Sequence, residues 1–558
     1  MRARTLLFAA LVAAGAGTAG AQVPGECTLG RAEADIDVGD VLARVFNTGS
    51  LFFGNGSQAM YLVPQDQGKS AIFAAGLWVG GLVEDELRVA GAWYADFEFW
   101  PGPVDRATGR PPDPTDCSAY DRIWRVSRHD VAEYYRTGVP AVDLAEWPFQ
   151  LGAPVLDGDG DPANYDLAAG DQPAISGDQM VWWVMNDVGN VHANSKTPPM
   201  GLEVQASVFG FGGGPHALRH ATFYRFLLIN RSPSVLDDAY VAFWSDPDLG
   251  DASDDYTGAD TLRDMAYWYN ADNQDGTTFG YGAAPPAVGV QLLQGPVGQP
   301  NGRDDDDDGT VDESDERLRM TSAIVGASDF PSVGPWDGRG MYQRMQGRWN
   351  DGTPVTMREF GYGGGGPLTT YVYPGDPVTP RFWSQPCWNP SGACAPAPIG
   401  DQHAQLASGP WRLGPGEAHD VLFAIPYGRG SSNLDSVSEL RRAATLLRSV
   451  YEEDLLDAQR VPGWPGPPAP PAAVELRRPA PNPFTDEAVM SVTLPAAAGV
   501  RVALVDVLGR EVAVLADGPH EAGRHPIAIA GAGLAPGVYV ARVWVNGQPA
   551  GALPVTRR

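Results

Sequence analysis

The run "ATFYRFLLIN" at residues 221–230, which ends at Asn230 before a Ser-Pro turn and is followed by "DAYVAFW" at 238–244, decides the fold class. Both stretches concentrate β-branched and aromatic side chains, which suit a pleated and largely buried surface, and turn residues separate them. Outward from this pair, 68 glycines and 50 prolines punctuate the chain at short intervals, with almost no apolar repeat of helical period. The expectation is a mainly β protein with a large β-sandwich-like body. A single late helix is expected within that body. Ser436-Val437-Ser438-Glu439 has the spacing of a capping box, and Leu440, Ala443, Ala444, Leu447 and Tyr451 then share one face that would pack on the sheets. Residues 461–474 form a proline-rich linker, semi-extended at about 3 Å per residue, which separates the body from a last domain at 475–558.

The last domain carries the most specific pattern. "VRVALVDVLG" at 500–509 and "GVYVARVWV" at 537–545 alternate with period two, and Asn546-Gly547 is a hairpin dipeptide. A small antiparallel β-sandwich is expected there. Pro481, Asn482, Pro483 and Phe484, then Asp506, Gly509 and Arg510 within "DVLGREV", then Gly523, and finally Leu534, Gly537 and Tyr539 within "LAPGVYVARV" follow one another in a characteristic order. This order resembles the C-terminal sorting domain of type IX secretion substrates of Bacteroidota and relatives, and is similar to the Ig-like domain of the flagellar hook-capping protein. The resemblance implies an Ig-like fold, recognition by a secretion translocon and export across the outer membrane. The final "LPVTRR" has arginines where many such domains carry lysine. The body resembles uncharacterised exported proteins with such a tail through "FWSDPDLGDASDDYTGAD", "YNADNQDG" and "SGPWRLGPGE", and no activity comes with that likeness.

Export is also written at the other end. Arg2 and Arg4 precede the apolar run "LLFAALVAAGA", and Ala19-Gly20-Ala21 places small residues before Gln22, the pattern of a signal peptide over 1–21. No later stretch reaches the ~20 apolar residues of a membrane span. The expected location is therefore the exterior or the outer-membrane surface. Four cysteines in an exported chain are expected to be bridged. Three pairings are possible; closure of a short loop favours Cys387 with Cys394, leaving Cys27 with Cys117.

A net charge of −29 opposes a nucleic-acid partner and favours hard cations. Within the acidic segment 301–316, between body parts 22–300 and 317–460, "NGRDDDDDGTVDESDE" combines alternate acids with a glycine. With Asp304 at position 1 of a calcium loop, Asp306, Asp308, Thr310, Asp312 and Asp315 take positions 3, 5, 7, 9 and 12, and Gly309 supplies the turn at 6. This arrangement resembles the calcium loops of EF-hand-like and thrombospondin-type repeats, with Asp315 in place of the usual glutamate. Calcium is the expected cofactor. A second candidate is Asp157, Asp159 and Asp161 in "LDGDGDPANYD"; a third is Asp246, Asp248, Asp251, Asp254 and Asp255 after a strand end.

Catalytic motifs are not matched. "QGKS" at 67–70 imitates the end of a phosphate loop, but Val63 stands where its first glycine belongs. His216 and His220 are four apart without the glutamate of a zinc protease, and no GxSxG occurs. Sixteen tryptophans fit either sandwich cores or sugar stacking. These features point to a calcium-stabilised exported protein without catalysis. A hydrolase of external polysaccharide or another polymer and a structural or adhesive surface component are the alternatives.

Overall fold

In the computed structural model, "ATFYRFLLIN" contains the strand Thr222–Asn230 and "DAYVAFW" lies inside the strand Leu236–Asp246. The structure describes residues 27–558 except 28–29, 55–57, 106–107, 112–116, 277, 301, 303, 305–310, 312–315, 328–336, 380–382, 388–396, 454–455, 457–473, 486 and 521–522. The signal segment and nearly all of the linker thus lie outside the described residues. By internal contacts the chain divides into two compact units, Met1–Val155 with Pro173–Val461, and Leu156–Gln172 with Pro462–Arg558.

The first unit is built on two large antiparallel sheets. One has 11 strands, with Gln402–Leu413, Leu236–Asp246, Ala74–Val83 and Glu86–Trp93 side by side. The other has 10 and includes Gln179–Asn186, Leu202–Gly210, Thr222–Asn230, Ala418–Ile425 and Ala287–Gln294 in that order. Leu77, Val241 and Phe243 of the first sheet meet Val204, Tyr224 and Phe423 of the second in one core. Phe243 lies 5.6 Å from Tyr224 and 5.2 Å from Phe423, ring to ring, across the sandwich. Strands from both sides of the acidic segment enter each sheet, so the two stretches of the body fold together.

Side-chain alternation explains why these strands read as unbroken apolar runs. Val241 and Phe243 face the inner core, while Tyr240, Ala242 and Trp244 face outward into a cluster with Met341, Tyr342 and Met345 of the helix Gly338–Met345. A Cβ on Gly91 would stand 2.4 Å from Met341 Cε, so the helix rests directly on strand backbone. The outer face of the second sheet is covered likewise: Val437, Leu440 and Ala444 pack on Tyr256, Tyr267 and Tyr269. Of the tryptophans, Trp336, Trp388 and Trp464 lie outside the described residues, and the rest are buried except the half-buried Trp544.

The late helix spans Asn433–Glu452 and begins a turn before the expected cap. Its N-cap is Ser432, whose hydroxyl accepts from Asp435 N at 3.1 Å. Ser436 is already inside the helix and donates to Pro285 O at 2.7 Å, while Glu439 pairs with Arg442 instead of reaching back. A second helix, Arg128–Thr137, carries a full capping box of Ser127 and Asp130. Cys27 and Cys117 form a disulfide packed on Trp100. Cys387 is also disulfide-bonded, and Cys394 lies outside the described residues.

The C-terminal domain has a three-stranded sheet and a four-stranded sheet around Phe484, Val492, Leu504, Ile529, Tyr539 and Val543. The "PNPF" residues bind its last strand, Gln548–Arg557. Asn482 donates to Pro554 O (3.1 Å) and accepts from Thr556 N (2.9 Å), and Phe484 N donates to Thr556 O (2.9 Å). Pro481 and Pro483 flank this clamp. Asp506 closes a turn by accepting from the amides of Leu508 and Arg510, both at 2.9 Å, with Gly509 at φ 78°. Gly523 and Gly537 open the strands Gly523–Ala530 and Gly537–Val545, and Leu534 packs on the core. Tyr539 donates to Ala535 O at 2.7 Å, a bond of the kind that pins sandwich corners.

Candidate functional site

The structure treats the three acidic stretches differently. In the segment 301–316, Asp304 is described, whereas Asp306, Asp308, Thr310, Asp312 and Asp315 lie outside the described residues.

The loop after Leu156 shows how alternate acids fold a chain onto itself. Asp157 Oδ1 accepts from the amides of Asp159 (3.0 Å) and Gly160 (2.6 Å), and Asp159 Oδ1 accepts from Asp161 N (2.8 Å). Gly160 sits at φ 87°, and a Cβ on Gly158 would stand 2.2 Å from the carbonyl carbon of Gly170. The interleaved glycines therefore answer a backbone need. Asp171, 1% exposed, accepts from Gly158 N (2.8 Å) and Asp166 N (2.6 Å), tying the two limbs together. As a result, ligand atoms of Asp157, Asp159 and Asp171 lie within 4.8 Å of one another. Asp161 is outside this group; its Oδ1 accepts from Ala163 N at 3.0 Å. Asn164 donates to Asp159 Oδ2 at 3.2 Å, and its own Oδ1 is buried and accepts no hydrogen bond. Hydrogen bonds from Asp161 N and Asn164 hold the Asp159 carboxyl below its ordinary range, so it is an anion at neutral pH.

The third stretch divides by role. Asp251 caps the short helix Ala252–Asp254 through Ser253 N, Asp254 accepts from Asn270 Nδ2 at 2.7 Å, and Asp255 accepts from Leu249 N at 3.0 Å. These three do not converge on one point. Burial raises Asp255 well above the carboxylate range, and burial reinforced by the charges of Asp246 and Asp401 pushes Asp248 up to about 7. Asp246 joins Asp401 and His403 instead, and ligand atoms of that trio also lie within 4.8 Å of one another. The register explains the meeting: Ser245 pairs with Ala404, so the next rung sets Asp246 across from His403. Tyr94 donates to Asp246 Oδ2 at 2.7 Å. Phe73, edge-on to Tyr94, also lines a cavity of about 740 Å³ with Asp248, Asp251, Lys69 and Phe279.

A buried trio of titratable side chains elsewhere had no sequence signature. His192 Nδ1 lies 2.8 Å from Val89 O and Nε2 lies 2.6 Å from Asp187 O. Both partners can only accept, so each contact calls for a donor from the ring. Glu98 and Asp187 each lie 3.9 Å away, and all three side chains have no exposure. Burial raises the pKa of both carboxyls and the histidine opposes it.

"QGKS" forms a turn leading into the strand Ser70–Ile72, with Lys69 donating to Thr278 O. His216 and His220 stack at 3.8 Å, and His220 Nδ1 is bonded to His216 O, 2.9 Å away. No protein-family model and no curated protein matches the chain. Among solved structures, a polysaccharide lyase aligns at 9% identity over 64% of this chain and 34% of its own, with a TM-score of 0.17. Pseudomonas fluorescens alkylpurine DNA glycosylase AlkC, bound to DNA with an abasic-site analogue, aligns at 17% identity over 22% of this chain and 39% of its own, with a TM-score of 0.12. The chain spans little more than a third of either protein, and neither score indicates a shared fold.

Proposed function

We propose that the protein is a non-catalytic, exported surface protein whose loops are stiffened by calcium, with the loop 157–171 as a binding site. The observation that carries this reading is the convergence of Asp157, Asp159 and Asp171, whose ligand atoms lie within 4.8 Å of one another, with the orphaned Asn164 Oδ1 on the same loop. An all-oxygen donor set on a short loop suits a hard cation. The Cys27–Cys117 disulfide supports an oxidising destination. The order of sorting-type motifs at the C-terminus supports export by a translocon. Burial of the described tryptophans other than the half-buried Trp544 favours this reading over a sugar-stacking enzyme.

The test has two arms. Calcium should raise the Tm of the chelator-treated mature chain, and magnesium should raise it less, because magnesium demands a tighter octahedral shell. In a host with type IX secretion the full chain should reach the cell surface. An unchanged Tm with no retained calcium removes the cation half; retention in the periplasm removes the export half. One observation favours hydrolysis of an external polymer: Asp248, pushed up to about 7 by burial and the charges of Asp246 and Asp401, borders the 740 Å³ cavity together with a second carboxylate, Asp251. Turnover of any member of a polysaccharide panel, abolished by Asp251→Asn, would select that reading.

A further inference from the structure

We propose that Asp246, Asp401 and His403 form a second metal site, specific for a divalent first-row transition ion of the zinc class rather than for calcium. The site stands where two neighbouring strands of the 11-stranded sheet, Leu236–Asp246 and Gln402–Leu413, meet at one edge. Asp246 ends one strand, His403 lies near the start of the other, and Asp401 immediately precedes it. His403 Nε2 is 3.5 Å from Asp246 Oδ1 and 3.7 Å from Asp401 Oδ1. An ion held at about 2.0–2.2 Å sets its ligand atoms roughly 3–3.6 Å apart, so these separations need only a small contraction.

The decisive atom is Asp246 Oδ1. Asp246 is 4% exposed, and this oxygen accepts no hydrogen bond although it points at the imidazole nitrogen. A buried carboxylate oxygen with no donor is costly, and an ion between it and Nε2, which itself lies 3.3 Å from the Tyr94 hydroxyl, satisfies it. The other oxygen, Oδ2, is held by the Tyr94 hydroxyl at 2.7 Å, which fixes the carboxylate with Oδ1 towards the trio. Trp244 packs against both Tyr94 and His403, with ring centres 5.0 and 5.8 Å away, and limits solvent on that side. An imidazole nitrogen beside two carboxylates selects zinc, iron, cobalt or nickel over calcium, whose shell is built of oxygens.

The mature chain, stripped with chelator, is titrated calorimetrically with Zn²⁺, and with Co²⁺ under visible absorption. One zinc per chain is expected, with affinity falling about 100-fold or more in His403→Gln and about 10-fold in Tyr94→Phe. His216→Gln should leave it unchanged. The cobalt ligand-field bands should vanish with His403. Full zinc affinity in folded His403→Gln, or no zinc uptake by the folded wild-type chain, overturns the proposal. Should His403→Gln fail to fold, zinc-edge X-ray absorption of the wild-type chain decides: a shell of imidazole nitrogen with carboxylate oxygen supports the site, and an all-oxygen or sulfur shell overturns it.

Discussion

Replacing His192 by phenylalanine should destabilise the first unit by about 4 kcal/mol at pH 7, and the loss should shrink in acid. The ring makes two short hydrogen bonds to Val89 O and Asp187 O from a fully buried position between Glu98 and Asp187. A buried hydrogen bond contributes about 0.5–1.5 kcal/mol, and more where a charged group takes part. Removing the ring also leaves Val89 O and Asp187 O without their donor in the interior, which costs about 1–3 kcal/mol each. Phenylalanine would keep the 5.8 Å stack on Trp100, so packing loss is small beside these terms. Without the histidine, Glu98 and Asp187, already raised by burial, rise further. A carboxyl with a raised folded-state pKa binds more protons folded than unfolded, so its contribution to stability falls as pH rises. The variant should therefore recover stability between pH 7 and pH 5 relative to wild type, as read from urea unfolding at each pH. A loss under about 1 kcal/mol, or one independent of pH, would refute the coupling of His192 to Glu98 and Asp187.

Leu440→Ala, which empties a fully buried position between the late helix and the second sheet, should cost about 2–5 kcal/mol in urea unfolding. His419, lowered to about 4 chiefly by burial and then by Arg317, resists protonation when folded. Its contribution is complete above pH 6.5 and is lost as pH falls towards 4, so His419→Phe should flatten the wild-type decline between pH 7 and 5 by about 1 kcal/mol or somewhat more. Removing residues 475–558 should leave the first unit folded by protease resistance but stop surface display, and fusing that segment to a periplasmic reporter should carry the reporter out.

The fold class was legible because both faces of the central strands are covered, which turns them into apolar runs such as "DAYVAFW". The late helix was legible in its buried face but not in its start. Two Ser-x-x-acid patterns overlap there, and the choice between Ser432 and Ser436 depends on Pro285, a distant contact. The helix Arg128–Thr137 was signalled by Ser127 and Asp130 and passed over. Alternation at 157–161 located the acid loop, yet Asp171 enters only because the chain returns past Gly158, and Asp161 turns away to Ala163. Asp401 and His403 carried no local signal: their meeting with Asp246 is a consequence of strand register. The His192 trio likewise joins residues that only the folded sheets bring together.

Calcium calorimetry on the full mature chain, compared with Asp171→Asn and Asp161→Asn, tests the central claim most directly. The account predicts that Asp171→Asn removes a class of calcium sites or weakens it at least about 10-fold, because it loses a buried ligand, while Asp161→Asn changes it little. Equal effects of the two substitutions, or no calcium binding by the folded wild-type chain, would contradict it.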